Sequence, residues 1–289
     1  RVDTFLFIKT AIVLQFSINL VSGVFVSYLG RISACVPPKC GTTSWIEALQ
    51  DISGIESAEV THKRFITDWY DRNGLRTLSL NASLGFVRNH RRGWSHIIVI
   101  RDPLERLLSG YLERCRHKIR DSYVTLDDCA FAAGEKGEAP SFDEFIDQVS
   151  GLAPNNGDLA SLEVNDHFRL QSSQCGPPQQ YDFVVIWSQQ SKDMNLTSQV
   201  EDTFNKIGLP GRIQKTYFPH RTSVPAGMHN FHSQLAGAKL KRYYTPAILH
   251  KVVPLLAPDY NMYNMTLPQW VHDIDPSATV HMQDEDWRE

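Results

Sequence analysis

Pro37-Pro38-Lys39-Cys40-Gly41-Thr42-Thr43-Ser44-Trp45 is the stretch from which the fold can be read. Ahead of it, Ile32 to Val36 is a short apolar run suited to a buried strand, and the two prolines end it because they lack a ladder N–H. Behind it, Thr42 to Ile52 places Trp45, Ile46, Leu49 and Ile52 on one side of a helix. A loop that enters a helix N-terminus leaves backbone N–H groups uncommitted at the positive end of the helix dipole, where an anion is favoured. Gly41 permits close backbone approach, Lys39 adds a point charge, and Thr42, Thr43 and Ser44 add hydroxyl donors.

A second unit of the same kind follows. Trp94 to Ile100 (WSHIIVI) reads as a strand, and Asp102, Pro103 and Glu105 supply the N-cap, first-turn proline and capping-box acid of a helix running to about Lys118. Its buried stripe is Leu104, Leu107, Leu108, Tyr111, Leu112 and Cys115. Arg101, at the strand end, can fork onto a phosphate, and Ser109, two turns into the helix and off that stripe, can donate a hydroxyl. Taken singly, Arg101 is as well explained by an ion pair with Asp102 or Glu105, and Ser109 by a surface position.

Residues 119 to 140 are polar, Gly-rich and acidic, an exposed excursion before a helix opened by Ser141 with Glu144 in capping-box register. Tyr181 to Trp187 is another buried-strand candidate, a helix from about Thr197 to Ile207 ends at Gly208, and Lys239 to Leu256 reads as a late helix. Strands and helices alternate, which points to an α/β fold with a parallel sheet flanked by helices and ligands beyond the carboxyl ends of the strands. Three regions are expected: an apolar N-terminal segment over 1–30, one catalytic domain over 31–266, and a polar, acidic tail over 267–289 that frays from Asp273.

The net charge of -3 gives no basic surplus for nucleic acid, so any anion site must be local. Five cysteines without a Cys-x-x-Cys pair argue against a disulfide scaffold and against a metal site. Residues 10 to 29 carry no charged side chain, and about twenty such residues span a bilayer core, although Gln15, Ser17, Asn19, Ser22 and Ser27 make the segment only moderately apolar. A buried helix or strand pair is the competing reading. Asn81, Asn195 and Asn264 open glycosylation sequons usable in a secretory setting.

The first loop departs from the nucleoside-triphosphatase pattern Gly-x-x-x-x-Gly-Lys-[Ser/Thr], because Lys39 precedes Gly41 instead of following it. Together, PPKCGTTSW and VIRDPLERLLSGY resemble the 5'-phosphosulfate and 3'-phosphate loops of the sulfotransferase superfamily, specifically its Golgi carbohydrate branch. The resemblance continues through SFDEFI, HFRLQSSQC, YDFVVIW and KRYYTPAILHKVVPLLAPDYNMY, covering roughly residues 31 to 264. It implies a P-loop-like fold, 3'-phosphoadenosine 5'-phosphosulfate as donor, no metal, and a glycan hydroxyl as acceptor, on a glycosaminoglycan or a glycoprotein sugar chain. It further implies a luminal Golgi enzyme, held to the membrane through its N-terminal segment as a single-pass type II protein.

By that resemblance Lys39, Cys40, Gly41, Thr42, Thr43 and Ser44 hold the 5'-phosphosulfate, Arg101 and Ser109 the 3'-phosphate, and Arg221, in His220-Arg221-Thr222, belongs to a basic loop closing over the nucleotide. Lys39 is expected on the bridging oxygen of the leaving phosphate. For the base, His62, His96, His167 and His220 are candidates. His62 matches the position of a family histidine, His167 resembles a histidine shaping the acceptor side, and His96, inside a strand, is expected to be packed core. In an oxidising lumen, Cys129–Cys175 and Cys115–Cys129 are both open as disulfides, and Cys40 is expected to pack rather than act as a thiol nucleophile.

Two other classes compete. A catalytically inactive, nucleotide-binding relative acting as an interaction protein keeps both loops and lacks only a base. A small-molecule kinase needs a lysine just before Thr42 or Ser44 and a magnesium-binding acid, and leaves Arg101 and Ser109 without a role.

Overall fold

The computed structural model describes residues 24–54, 75–78, 80–116, 139–152, 166–187, 196–218 and 236–280. Among these residues a five-stranded sheet forms the centre, in the order β3-β1-β2-β4-β5. Its strands are β1 (Val24–Ser27), β2 (Ile32–Cys35), β3 (Leu75–Leu78), β4 (Ser95–Ile100) and β5 (Phe183–Ile186). β2, β4 and β5 run parallel, with Ala34 beside Ile97 and Ile98 beside Val184, while β1 runs antiparallel to both β2 and β3. The sheet is therefore mixed, and its parallel half carries both loops singled out in the sequence.

β4 shows why the sheet is central. Ile97 and Val99 join one core with Trp45, Phe204 and Phe218, and Ile98 and Ile100 join the core on the opposite face with Val87 and Tyr181. Side chains alternate across a strand, so an apolar run of this kind fits only a strand covered on both faces. The cover on the first face is α1 (Thr42–Ile52), α6 (Leu196–Ile207) and α7 (Gly211–Tyr217); α2 (Leu80–Asn89) and α5 (Gln171–Cys175) lie on the second.

A separate helical core abuts the sheet. In it α3 (Pro103–Tyr111) packs with α4 (Phe142–Leu152), α8 (Ala236–Tyr243), α9 (Pro246–Met262) and α10 (Gln269–Ile274), through Leu104, Leu107 and Leu108 against Phe145, Leu249 and Trp270. The capping box before α4 forms as read, with Ser141 N donating to Glu144 Oε2 at 2.7 Å and Glu144 N donating to Ser141 Oγ at 3.3 Å.

Several sequence expectations change. Val24–Ser27, inside the apolar stretch 10–29, is strand β1 with Phe25 and Val26 buried, so the stretch does not cross a membrane as one unit and the domain begins before residue 31. Residues 1–23 lie outside the described residues, and no helix among the described residues is long and apolar enough to cross a membrane. The tail does not begin at 267, because Leu267, Trp270, Val271 and Ala278 are buried in the helical core.

α3 stops at Tyr111 and continues as a π-helical turn over Leu112–Arg116. The late helix is two helices. Pro246 disfavours helical backbone at Thr245, which instead caps α9 by accepting from Ile248 N at 3.3 Å. β1 accords with the competing reading of residues 10–29 as a buried helix or strand pair, and β3 and α2 have no counterpart in the sequence reading.

Candidate active site

The loop between β2 and α1 is built by its prolines and by two left-handed residues. Cys40 N donates to Pro37 O at 3.1 Å, and Thr42 Oγ1 donates to the same oxygen at 3.1 Å. Lys39 has φ 72 and Gly41 φ 78. At Gly41 the requirement is double: the backbone is left-handed, and an added Cβ would lie 2.3 Å from Trp187 Cη2. Gly41 is also the N-cap of α1 and makes no side-chain cap, so the first N–H groups of that helix point into the loop without a capping oxygen.

At the neighbouring strand end, Asp102 caps α3 by accepting from Glu105 N at 2.8 Å. Arg101, 3% exposed, reaches back across the strands: its Nη1 donates to Lys39 O at 2.6 Å and its Nη2 to Glu105 Oε1 at 2.9 Å. The two loops are thus in direct contact, as parallel pairing of β2 with β4 requires. Arg101 Nε is buried and has no hydrogen-bond partner among the described residues. An unsatisfied donor on a buried cation is costly, and a phosphate oxygen is the kind of acceptor it lacks.

Lys39 Nζ pairs with the carboxylate of Glu113, in the π-helical turn. Burial pulls Lys39 below the usual lysine range, Glu113 opposes that shift, and Arg101 and Arg114 add to it. Arg114 donates from Nε and faces His167 Nε2 with Nη2, at 3.2 and 3.0 Å. Burial, followed by the Arg114 charge, holds His167 well below the usual histidine range, so this ring is neutral at physiological pH. His167 does join the site, as a half-buried neighbour of the Lys39–Glu113 pair.

Three supporting residues escaped the sequence reading. Gln171 joins the loops: its Oε1 accepts from Arg101 N at 2.9 Å and from Cys40 Sγ at 3.3 Å, and its Nε2 donates to Arg101 O at 2.8 Å. Asp259, in α9, caps α5, the helix that carries Gln171, accepting from Gln171 N at 2.9 Å and Ser172 N at 2.8 Å. Arg106 spends its guanidinium on Pro38 O, Arg169 O and Asp166 O at 2.9, 2.6 and 2.9 Å. No sequence signal marks Gln171 or Asp259, since each works through a contact distant in the chain. Arg106 stood in the quoted motif but lacked an assigned partner.

The remaining candidates divide plainly. Thr43 and Ser44 sit half-buried in the first turn of α1, and Ser109 is buried within α3 at 3% exposure. Cys40 is fully buried with its thiol pushed up to about 11, which suits packing and not nucleophilic attack. His96 is core, with Nδ1 2.6 Å from Ser33 Oγ. His62, His220 and Arg221 lie outside the described residues.

Cys175 is bonded to Cys35, which excludes the Cys129–Cys175 pairing, and Cys115 is also in a disulfide, which leaves the Cys115–Cys129 alternative standing. No group of three or more metal-ligating side chains occurs among the described residues.

With this geometry in view, the comparisons with known proteins carry weight. The sulfotransferase family model matches residues 23–266. The chain belongs to the sulfotransferase family. It is similar to carbohydrate sulfotransferase 10 of Xenopus laevis, 29% identical over 150 residues, which is 50% of this chain and 42% of that protein. It is also similar to carbohydrate sulfotransferase 10 of Rattus norvegicus and of Homo sapiens, each 30% identical over 98 residues, 34% of this chain and 27% of each relative. The matched region thus spans less than half the length of these curated relatives, and no solved structure matches. The family match begins at residue 23, in accord with β1 being part of the sulfotransferase domain.

Proposed function

We propose that this sulfotransferase-family chain moves a sulfuryl group from 3'-phosphoadenosine 5'-phosphosulfate to a hydroxyl of a glycan. The observation that carries the reading is the 2.6 Å bond from Arg101 to the backbone oxygen of Lys39, which makes the two anion loops one continuous surface at the carboxyl ends of β2 and β4. The residues fit such a donor. The uncapped N-terminus of α1, with Lys39, Gly41, Thr42, Thr43 and Ser44, suits one phosphate, and Arg101, with its orphaned Nε–H, and Ser109 suit a second.

The donor supplies an activated sulfuryl group on a phosphate leaving group. The protein's tasks are to hold that phosphate, to place a cation at its departing oxygen, and to accept the hydroxyl proton. Lys39 serves the second task, and its pairing with Glu113 sets where the ammonium rests. His62 is proposed as the base by its family position. Arg221 is proposed as part of the closing loop.

The glycan acceptor follows from the carbohydrate sulfotransferases that the chain resembles. A luminal setting is supported by the Cys35–Cys175 bond and by the disulfide at Cys115, because such bonds persist in oxidising compartments. Golgi residence and a membrane anchor in residues 1–23 extend this proposal.

The test is calorimetry with 3'-phosphoadenosine 5'-phosphate together with transfer of labelled sulfate to chondroitin, dermatan, heparan and N-glycan acceptors. Binding with transfer is the expected result. Binding without transfer to any acceptor would make the chain an inactive nucleotide-binding relative, and absence of binding would end the reading.

A further inference from the structure

The opposite edge of the sheet, where β2 and β4 begin, carries chemistry that the donor site does not use. The β1–β2 turn presents Tyr28 and Leu29, 42% and 74% exposed, and Arg31 follows with its backbone oxygen accepting from Ser95 N at 2.9 Å. Alongside, the end of α2 and the turn after it bring Arg88, Arg91 and Arg92 to the surface. Arg31 reaches this turn, its Nη1 lying 3.3 Å from where a Cβ on Gly93 would stand.

Among the described residues, none of the four arginines takes part in an ion pair. Asp182, just before β5, accepts from the backbone N–H of His96 at 2.8 Å. In a chain of net charge -3, four guanidinium groups on one edge with no carboxylate partner among the described residues are a concentrated exception.

Aromatic rings fix the patch. Tyr28 meets Trp94 edge-on at 5.5 Å and Phe86 at 6.1 Å, and Phe86 stacks on His90 at 4.0 Å. The rings lock one another, so the arginines stand on a rigid base and the Tyr28 ring is held at the surface.

We infer that this edge is a binding site for a polyanionic glycan, a chain bearing sulfate or carboxylate groups, separate from the donor loops. Guanidinium groups match sulfate and carboxylate oxygens in a bidentate fork. An anionic membrane is the other class of partner for basic and aromatic residues. Among the described residues of this edge only Tyr28 and Leu29 are exposed large hydrophobics, far less apolar surface than the whole helix face by which interfacial segments enter a bilayer.

β4 is six residues long, so the patch lies roughly 20 Å from the Arg101 end at about 3.3 Å per residue. A polymer reaches both, and a short oligosaccharide does not. The inference rests on the proposed function only in making this glycan the acceptor; polyanion binding itself does not require it.

The experiment measures heparin binding to the full chain by calorimetry across a salt series, with 3'-phosphoadenosine 5'-phosphate present to fill the donor loops. The comparison is Arg31→Ala/Arg88→Ala/Arg91→Ala/Arg92→Ala, with Arg91→Ala/Arg92→Ala as the milder variant should the quadruple unfold. The expected result for the quadruple variant is an affinity loss on the order of tenfold or more and a salt dependence shallower by about four ions, since each lost contact releases roughly one counterion fewer. Binding of 3'-phosphoadenosine 5'-phosphate and thermal unfolding stay as in the parent.

Unchanged heparin affinity overturns the inference. So does unchanged heparin affinity combined with lost binding to phosphatidylserine vesicles, which assigns the edge to a membrane. Failure of the parent to bind 3'-phosphoadenosine 5'-phosphate would sink the proposed function while leaving the heparin result readable.

Discussion

Arg101 donates through Nη1 to the backbone oxygen of Lys39 at 2.6 Å while its Nη2 holds Glu105 at 2.9 Å, so one buried guanidinium fixes the main chain of the loop between β2 and α1 to helix α3. The pairing with Glu105, which would by itself explain the arginine as structural, coexists with the loop contact. Arg101 is therefore both a strut and, through its unpartnered Nε–H, a donor with capacity left.

Replacing Arg101 separates these two tasks. Arg101→Ala strands the Glu105 charge away from its guanidinium, and breaking one side of a buried pair costs roughly 3–5 kcal/mol. The double variant Arg101→Ala/Glu105→Ala is expected to recover part of the lost melting temperature without recovering affinity for 3'-phosphoadenosine 5'-phosphate. Differential scanning calorimetry and titration calorimetry read the two effects apart. Recovery of both together would make Arg101 a strut alone.

Glu113 sets the protonation of Lys39. Burial lowers the lysine pKa and the Glu113 carboxylate raises it, so Glu113→Gln removes the opposing influence and the pKa falls further. If protonated Lys39 stabilises the leaving phosphate, the alkaline limb of the kcat/KM profile moves to lower pH in Glu113→Gln, with the acid limb unmoved. An alkaline limb that stays in place would remove the lysine from that role.

How much of this could be read in advance differs by residue. β2, α1, β4 and the start of α3 were legible because their signals are local: an apolar run, two prolines, a cap and a capping acid within one turn. β1 was hidden because Val24–Ser27 sits in an uncharged stretch whose composition fits a membrane span as well as a strand buried between two partners. Lys39 and Arg101 stood out as cations at strand ends.

Gln171, Asp259 and Glu113 did not stand out. A neutral amide and two carboxylates acquire their roles only when the fold brings them to Arg101, to the Gln171 backbone and to Lys39. The break at Thr245 was readable from Pro246, and the continuous apolar pattern on both sides masked it.

The Cys35–Cys175 bond joins the end of β2 to the end of α5, the helix that holds Gln171 between the loops. It closes a separation of 140 residues, for which chain entropy gives a contribution of up to about 5 kcal/mol. Cys35→Ala/Cys175→Ala is expected to lower the melting temperature by on the order of 10 °C for a domain of this size. Affinity for 3'-phosphoadenosine 5'-phosphate should fall as well, because the Gln171 bridge loosens. A variant that melts lower yet binds as the parent does would confine the disulfide to global stability.

Asp102 gives a pH dependence whose sign can be worked out. Burial, with the Glu105 charge adding to it, raises its pKa from 3.8 to about 6, against the pull of the Glu105 N–H and the Tyr260 hydroxyl at 2.9 Å. Between those two values the folded chain binds more protons at this position than the unfolded chain, so this group's contribution to stability falls as pH rises through that window. Asp102→Asn keeps an N-cap of similar quality and removes the titration.

Subtracting the unfolding free energy of Asp102→Asn from that of the parent at each pH should therefore give a difference that declines from about pH 4 to about pH 6 and is level above it. Urea titrations at half-unit pH steps measure it. A difference that rises with pH would show that the carboxylate is better stabilised in the fold than in water, and that the positive charge of Arg101 beside it outweighs the burial of the cap.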